Sequence, residues 1–119
     1  MKKRIQAFGY AVRGIALGFR QEAHMKIHAA VALLVIAAAY ILQISRQEWM
    51  IVFICISLVI SAELFNAAIE RLANRITLEK DPLIGAAKDL AAGSVLVAAI
   101  ISVICGCMIF IPYLSELVL

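Results

Sequence analysis

The chain has 119 residues, 65% of them hydrophobic, with 2 Pro, 6 Gly and a formal net charge of +3. A mean hydropathy of +1.00 is too high for a soluble domain of this size, and the scarcity of Pro and Gly excludes a disordered segment. What remains is an integral membrane protein with room for one domain.

Lys2, Lys3 and Arg4 open the chain as a secretory signal would, but Arg13, Arg20 and Glu22 interrupt the apolar core that a signal needs. Ile5, Phe8, Val12, Ile15 and Phe19 instead recur at spacings of three and four, which lines one helical face. Residues 2–20 are expected as a basic amphipathic helix lying on the bilayer surface.

The runs Ile27 to Ser45, with His28 neutral, and Leu90 to Ser115 carry no charge. Both reach the ~20 residues with which a helix crosses hydrocarbon. A third span beginning at Met50 contains Glu63, and it qualifies only if that carboxylate faces protein or water rather than lipid. The expected architecture is all-α: a surface helix plus three transmembrane helices at about residues 27–44, 50–70 and 90–112. With a cytoplasmic N-terminus, three crossings leave only Arg46 of the 11 basic residues outside, a decisive positive-inside bias. Polar chemistry is therefore expected at the cytoplasmic face.

Glu63, Asn66, Glu70 and Asn74, spaced three, four and four, fall on a single helical stripe. Glu63 lies about two turns, ~10 Å, deeper than Glu70. Such residues on an otherwise apolar helix must face a shared polar cleft; the plainer alternative is a buried polar network that only holds helices together. Glu22, at the turn into the first span, falls at the same membrane face, as do Glu79, Lys80, Asp81, Lys88 and Asp89 between the second and third spans. Carboxylates there suit a hard cation such as Mg²⁺, which uses one or two of them with phosphate oxygens, and Lys88 suits phosphate charge. Taken singly, Lys80 and Asp81 are ordinary loop charges, and Lys88 with Asp89 an ordinary helix-start pair.

His24 and His28 stand at i and i+4, a zinc-binding spacing, yet no third ligand or H-E-x-x-H pattern accompanies them, and polar contacts are the expectation. Cys55, Cys105 and Cys107 form no C-x-x-C pair and are expected to pack between helices. There is no G-x-x-x-x-G-K-[ST] loop, G-x-G-x-x-G or H-R-D. The residues alone leave two classes open. One is an enzyme; the other is a small oligomeric transporter, or a proton or cation pathway, using the same acidic cleft.

"SAELFNAAIERL" and "GAAKDLAAGSVLVAA", with the upstream "GYAVRG" and "QEAHMKIHAA", resemble the prokaryotic diacylglycerol kinase family over nearly the whole chain. "KIHAA", "EW" and "AKDLAAG" are more similar to its undecaprenol kinase branch. The resemblance implies a homotrimer in the cytoplasmic membrane of a bacterium, with Mg²⁺ as cofactor and no nucleic-acid partner. It implies transfer of the γ-phosphate of ATP to the hydroxyl of a membrane lipid alcohol, undecaprenol or diacylglycerol, with the polyprenol expected as the preferred acceptor. By the same resemblance Glu63 matches a general base, Asn66 an active-site amide, and Glu22 and Glu70 metal-binding carboxylates. Tyr10, Glu79, Lys80, Asp81, Lys88 and Asp89 match nucleotide-contacting positions, with Lys3 or Arg4 standing in for an arginine. Asn74 replaces a usual aspartate, and Asp81 precedes Pro82 where a histidine is common.

Overall fold

A computed structural model describes residues 1–119 as four helices: α1 (Lys2–Gln21), α2 (Ala23–Leu42), α3 (Arg46–Ile76) and α4 (Pro82–Val118). The last three are long and apolar enough to cross a membrane. Only 10 of the 119 residues are buried, and large apolar side chains such as Leu34, Phe53, Phe65, Leu96 and Met108 are exposed along all three. Exposure on that scale belongs to a surface that meets lipid or other apolar partners rather than water.

Helix ends explain the connections. Glu22 alone separates α1 from α2, with an extended backbone (φ −99°, ψ 117°), while its N–H still donates to the Gly18 carbonyl at 3.0 Å. No Pro or Gly forces this elbow; contacts to α3, described below, hold it. At the far end of α2, Gln43 adopts the left-handed conformation (φ 53°). Its N–H reaches Tyr40 O and the Ile44 N–H reaches Ala39 O, a Schellman stop sealed by the buried pair Ile44 and Ala39.

Ser45 then starts α3 with a reciprocal capping box: Ser45 Oγ accepts from the Glu48 N–H at 3.2 Å, and Glu48 Oε1 accepts from the Ser45 N–H at 2.9 Å. Asp81 starts α4 in the same manner, accepting from the N–H groups of Leu83 and Ile84 ahead of the rigid Pro82. α4 thus begins well before the uncharged run at Leu90. Lys88 and Asp89, expected in the connection between spans, ride instead on its second turn.

The three long helices run alternately up and down. α3 and α4 touch along their whole lengths: Tyr113 O–H donates to Glu48 at one end, Ser102 Oγ meets the Cys55 carbonyl at 3.4 Å midway, and Lys88 meets Asn74 at the other end. Ala39, Ile44, Val52 and Ile109 form a small core at the Glu48 end, with Trp49, Phe110 and Tyr113 packed around it. α1 leaves this bundle and lies against α3 nearer the opposite end. Gly18 permits the approach, since a Cβ there would sit 2.8 Å from Leu64 Cδ2.

Candidate active site

The polar stripe of α3 exists as a continuous helical face, and each member meets a different neighbour. Glu63 is 3% exposed. Its titratable neighbour is His28 of α2, whose Nε2 lies 3.7 Å from Glu63 Oε2. One turn on, the Asn66 Oδ1 atom is buried without a hydrogen-bond partner. A buried acceptor left open in this way is costly, and substrate-binding positions are among the few places where it persists. Glu70 is exposed and enters no ion pair. Asn74 Oδ1 accepts from Lys88 Nζ at 2.6 Å, which ties the start of α4 to the end of α3.

Glu22 approaches α3 from a different side. Arg71 Nη2 donates to Glu22 Oε1 at 3.0 Å and to Gln21 Oε1 at 2.9 Å, so the elbow between α1 and α2 is fastened to α3. Below this clasp Gly14, Gly18, Leu64, Ala67 and Ala68 line a groove of about 380 Å³ with Glu22 and Arg71 at its polar end. A second space of about 380 Å³ at the α3–α4 connection gathers Glu79, Lys80, Asp81 and Lys88. A third, of about 440 Å³ and almost wholly apolar, runs between α2, α3 and α4, with His28 and Ser102 among its few polar walls.

The sequence-derived residues therefore fall into groups. Glu79, Lys80, Asp81 and Lys88 share one cavity, although one Asp81 oxygen is occupied by the α4 cap. Lys88 links that cavity to the α3 stripe. Tyr10 and Asp89 stay exposed outside it, and Tyr10 lies under the Arg13 guanidinium at 5.1 Å. Nowhere in the single chain do three His, Cys, Asp or Glu side chains converge as a cation site. The donor set still fits Mg²⁺, because this ion needs only one or two protein carboxylates when phosphate oxygens complete its shell. Glu70 is free for that task, whereas Glu22 offers a carboxylate already shared with Arg71.

Two participants had no clear sequence signal. Arg71 counted only as one more basic residue at the inner face, and nothing local marks it as the holder of Gln21 and Glu22. His28 was paired in sequence with His24; the fold pairs it with Glu63, 35 residues away, while His24 is exposed. Cys55, Cys105 and Cys107 line the apolar cavity; the first two are half-buried, as packing residues are, whereas Cys107, expected to pack as well, is exposed.

An all-helical membrane protein with three apolar spans, a buried carboxylate on one of them and a polar cavity at the helix ends is the class that fold and site define. The chain matches the prokaryotic diacylglycerol kinase family over residues 9–110 and belongs to it. It is 42% identical over 114 residues to the undecaprenol kinase of Bacillus subtilis, covering 96% of this chain and 93% of that protein. The diacylglycerol kinase of Pseudomonas aeruginosa is 33% identical over 98 residues, covering 82% of this chain and 80% of its own length. That of Escherichia coli is 31% identical over 105 residues, covering 88% and 86%. The protein is a membrane lipid kinase.

Proposed function

We propose that this kinase transfers the γ-phosphoryl group of MgATP to the hydroxyl of a membrane lipid alcohol, with undecaprenol preferred over diacylglycerol. The observation that carries the reading is the buried Glu63 carboxylate, set about two turns, ~10 Å, deeper along α3 than the exposed Glu70. An acid at that depth meets an alcohol anchored in the bilayer, while an acid near the helix end meets a nucleotide from water. The higher identity to an undecaprenol kinase than to the diacylglycerol kinases supports the choice of acceptor.

Phosphoryl transfer asks mainly for in-line positioning and charge neutralisation. Glu63 accepts the proton of the lipid hydroxyl as its oxygen attacks. Asn66, one turn from Glu63 on the same stripe, orients that hydroxyl by donating its side-chain amide N–H to the hydroxyl oxygen. Lys88, together with Lys80 in the loop cavity, meets phosphate charge. Glu22 and Glu70 would hold Mg²⁺, whose charge when bound offsets that of the phosphates.

The N-terminus and the site belong on the cytoplasmic side, on the strength of the Lys and Arg distribution. α1 lies on the membrane surface, its apolar Ile5, Phe8, Val12 and Ile15 exposed in the single chain and available to lipid. A homotrimer supplies what three spans lack, since one chain neither closes a cleft nor covers its apolar helix faces; the number three follows from the family resemblance.

The test is purified protein in lipid vesicles with radiolabelled ATP, Mg²⁺ and equal mole fractions of undecaprenol and diacylglycerol. Faster labelling of undecaprenol is expected. Faster labelling of diacylglycerol overturns the acceptor and leaves the phosphoryl chemistry intact, whereas no labelled lipid overturns the reading as a whole.

A further inference from the structure

The Glu63 carboxylate is withdrawn from water, yet a general base must be ionised before it can accept a proton. Burying a carboxylate in its charged form is costly unless a counter-charge accompanies it. His28 is placed to supply one, with Nε2 at 3.7 Å from Glu63 Oε2 and side-chain exposures of 22% for His28 and 4% for Glu63. No other charged side chain of the same chain faces the pair. The surface of α1 turned toward α3 presents Ala11, Gly14, Ile15, Leu17 and Gly18, and the adjacent Glu22 is held by Arg71. α4 carries no charged residue between Asp89 and Glu116. On α2, His24 and Lys26 are exposed, and on α3 itself Glu70 is seven residues away, ~10 Å along the axis.

We propose that His28 is the positioning residue for Glu63: as imidazolium it keeps the carboxylate ionised, and after phosphoryl transfer it conducts the lipid's proton out of the site. The inference rests on reading Glu63 as the base of the kinase. In the transfer step the lipid oxygen bonds the γ-phosphorus and the lipid proton passes to Glu63. The bond from that phosphorus to its bridging oxygen breaks, and its electron pair leaves with the nucleoside diphosphate. Glu63 is then neutral and no longer holds the imidazolium. His28, the more exposed partner, turns its ring to release the Nε2 proton to water, returns with Nε2 unprotonated to hydrogen-bond range of Glu63, ~3 Å, and there takes the proton that Glu63 received. The ion pair is restored, and one proton per turnover has left through His28.

This assignment makes the histidine side chain, rather than the carboxylate, the part of the pair in touch with solvent. It also gives a function to a histidine that stands at the rim of an apolar cavity, where a neutral imidazole would pack just as well.

The experiment compares wild-type protein with His28→Gln in vesicles, by kinetics and by labelling with a hydrophobic carbodiimide, which attacks protonated carboxyls. In His28→Gln, kcat is expected to fall about tenfold or more, with KM for MgATP unchanged and the histidine limb of the kcat–pH profile lost. Mass spectrometry should find Glu63 labelled at neutral pH in the variant and not in the wild type. An unchanged pH profile together with unchanged labelling overturns the proposal. Should the variant misfold, the wild type decides alone: labelling of Glu63 at neutral pH overturns the ion pair, and resistance lost only on acidification supports it. Wild-type protein that phosphorylates no lipid would overturn the kinase reading and the proton route with it, while the labelling still judges the pair separately.

Discussion

Arg71 on α3 holds both residues of the α1–α2 elbow, Gln21 at 2.9 Å and Glu22 at 3.0 Å, through one guanidinium nitrogen. No helix-breaking residue stands at Glu22, so this contact, together with the packing of Gly18 on Leu64, keeps α1 folded back toward α3. The ion pair is partly exposed, and pairs of that kind contribute ~1 kcal/mol or less. Arg71→Met is therefore expected to leave the spans folded and to speed hydrogen exchange at the amides around Glu22. Arg71→Lys should recover only part of the protection, because an ammonium can donate to both acceptors but reaches less far from the backbone than Nη2 and is a more strongly hydrated point charge on a flexible stem. Wild-type exchange at the elbow in Arg71→Met would show that the clasp does not hold it.

Gly18 and Leu64 make the second such contact. With 2.8 Å between a built Cβ and Leu64 Cδ2, Gly18→Ala forces Leu64 to turn or α1 to lift. Because Leu64 Cδ2 is the far end of a flexible side chain and Ala gains ~0.5–1 kcal/mol over Gly inside a helix, the expected net cost is at the low end of the overpacking range, ~1 kcal/mol. Adding Leu64→Ala should recover much of it, and a double-mutant cycle on thermal unfolding in detergent measures the coupling. Purely additive losses would mean that the two side chains do not meet.

In the proposed mechanism the depth difference along α3 separates two roles. Glu63→Gln is expected to abolish turnover while MgATP still binds, and Glu70→Gln to weaken metal-dependent nucleotide binding as well. Equilibrium binding of a fluorescent nucleotide, with and without Mg²⁺, distinguishes them. Equal loss of nucleotide binding in both variants would remove Glu63 from the role of base.

Lys88 is shared between Asn74 at 2.6 Å and the loop cavity. Lys88→Met should raise KM for MgATP by roughly tenfold, the scale of one charge-assisted contact, and detach the start of α4 from α3. Asn74→Asp keeps a partner for Lys88 and is expected to change KM by less than about threefold. A large rise in KM for Asn74→Asp, with Lys88→Met silent, would invert the roles assigned to the two residues.

Much of this protein is written along single helices. The uncharged runs, the 3.6-residue stripe of Glu63, Asn66, Glu70 and Asn74, and the Lys and Arg asymmetry are properties of consecutive residues, and hydrophobic transfer and helical periodicity act on them directly. The cap at Asp81 and Pro82 is equally local, and it starts α4 well before the charge-free run at Leu90, so Lys88 and Asp89 lie on the helix rather than between the spans. Which side chain faces which across the bundle is not local. The meeting of Arg71 with Glu22, of His28 with Glu63 and of Gly18 with Leu64 depends on how α1 and α2 cross α3, and no periodicity encodes that angle. Sequence alone determined that the Glu63 carboxylate would turn away from lipid. Only the tertiary structure decided that an imidazole would lie beside it, because the cost of burying a charge is met by whatever group packing brings within a few ångströms.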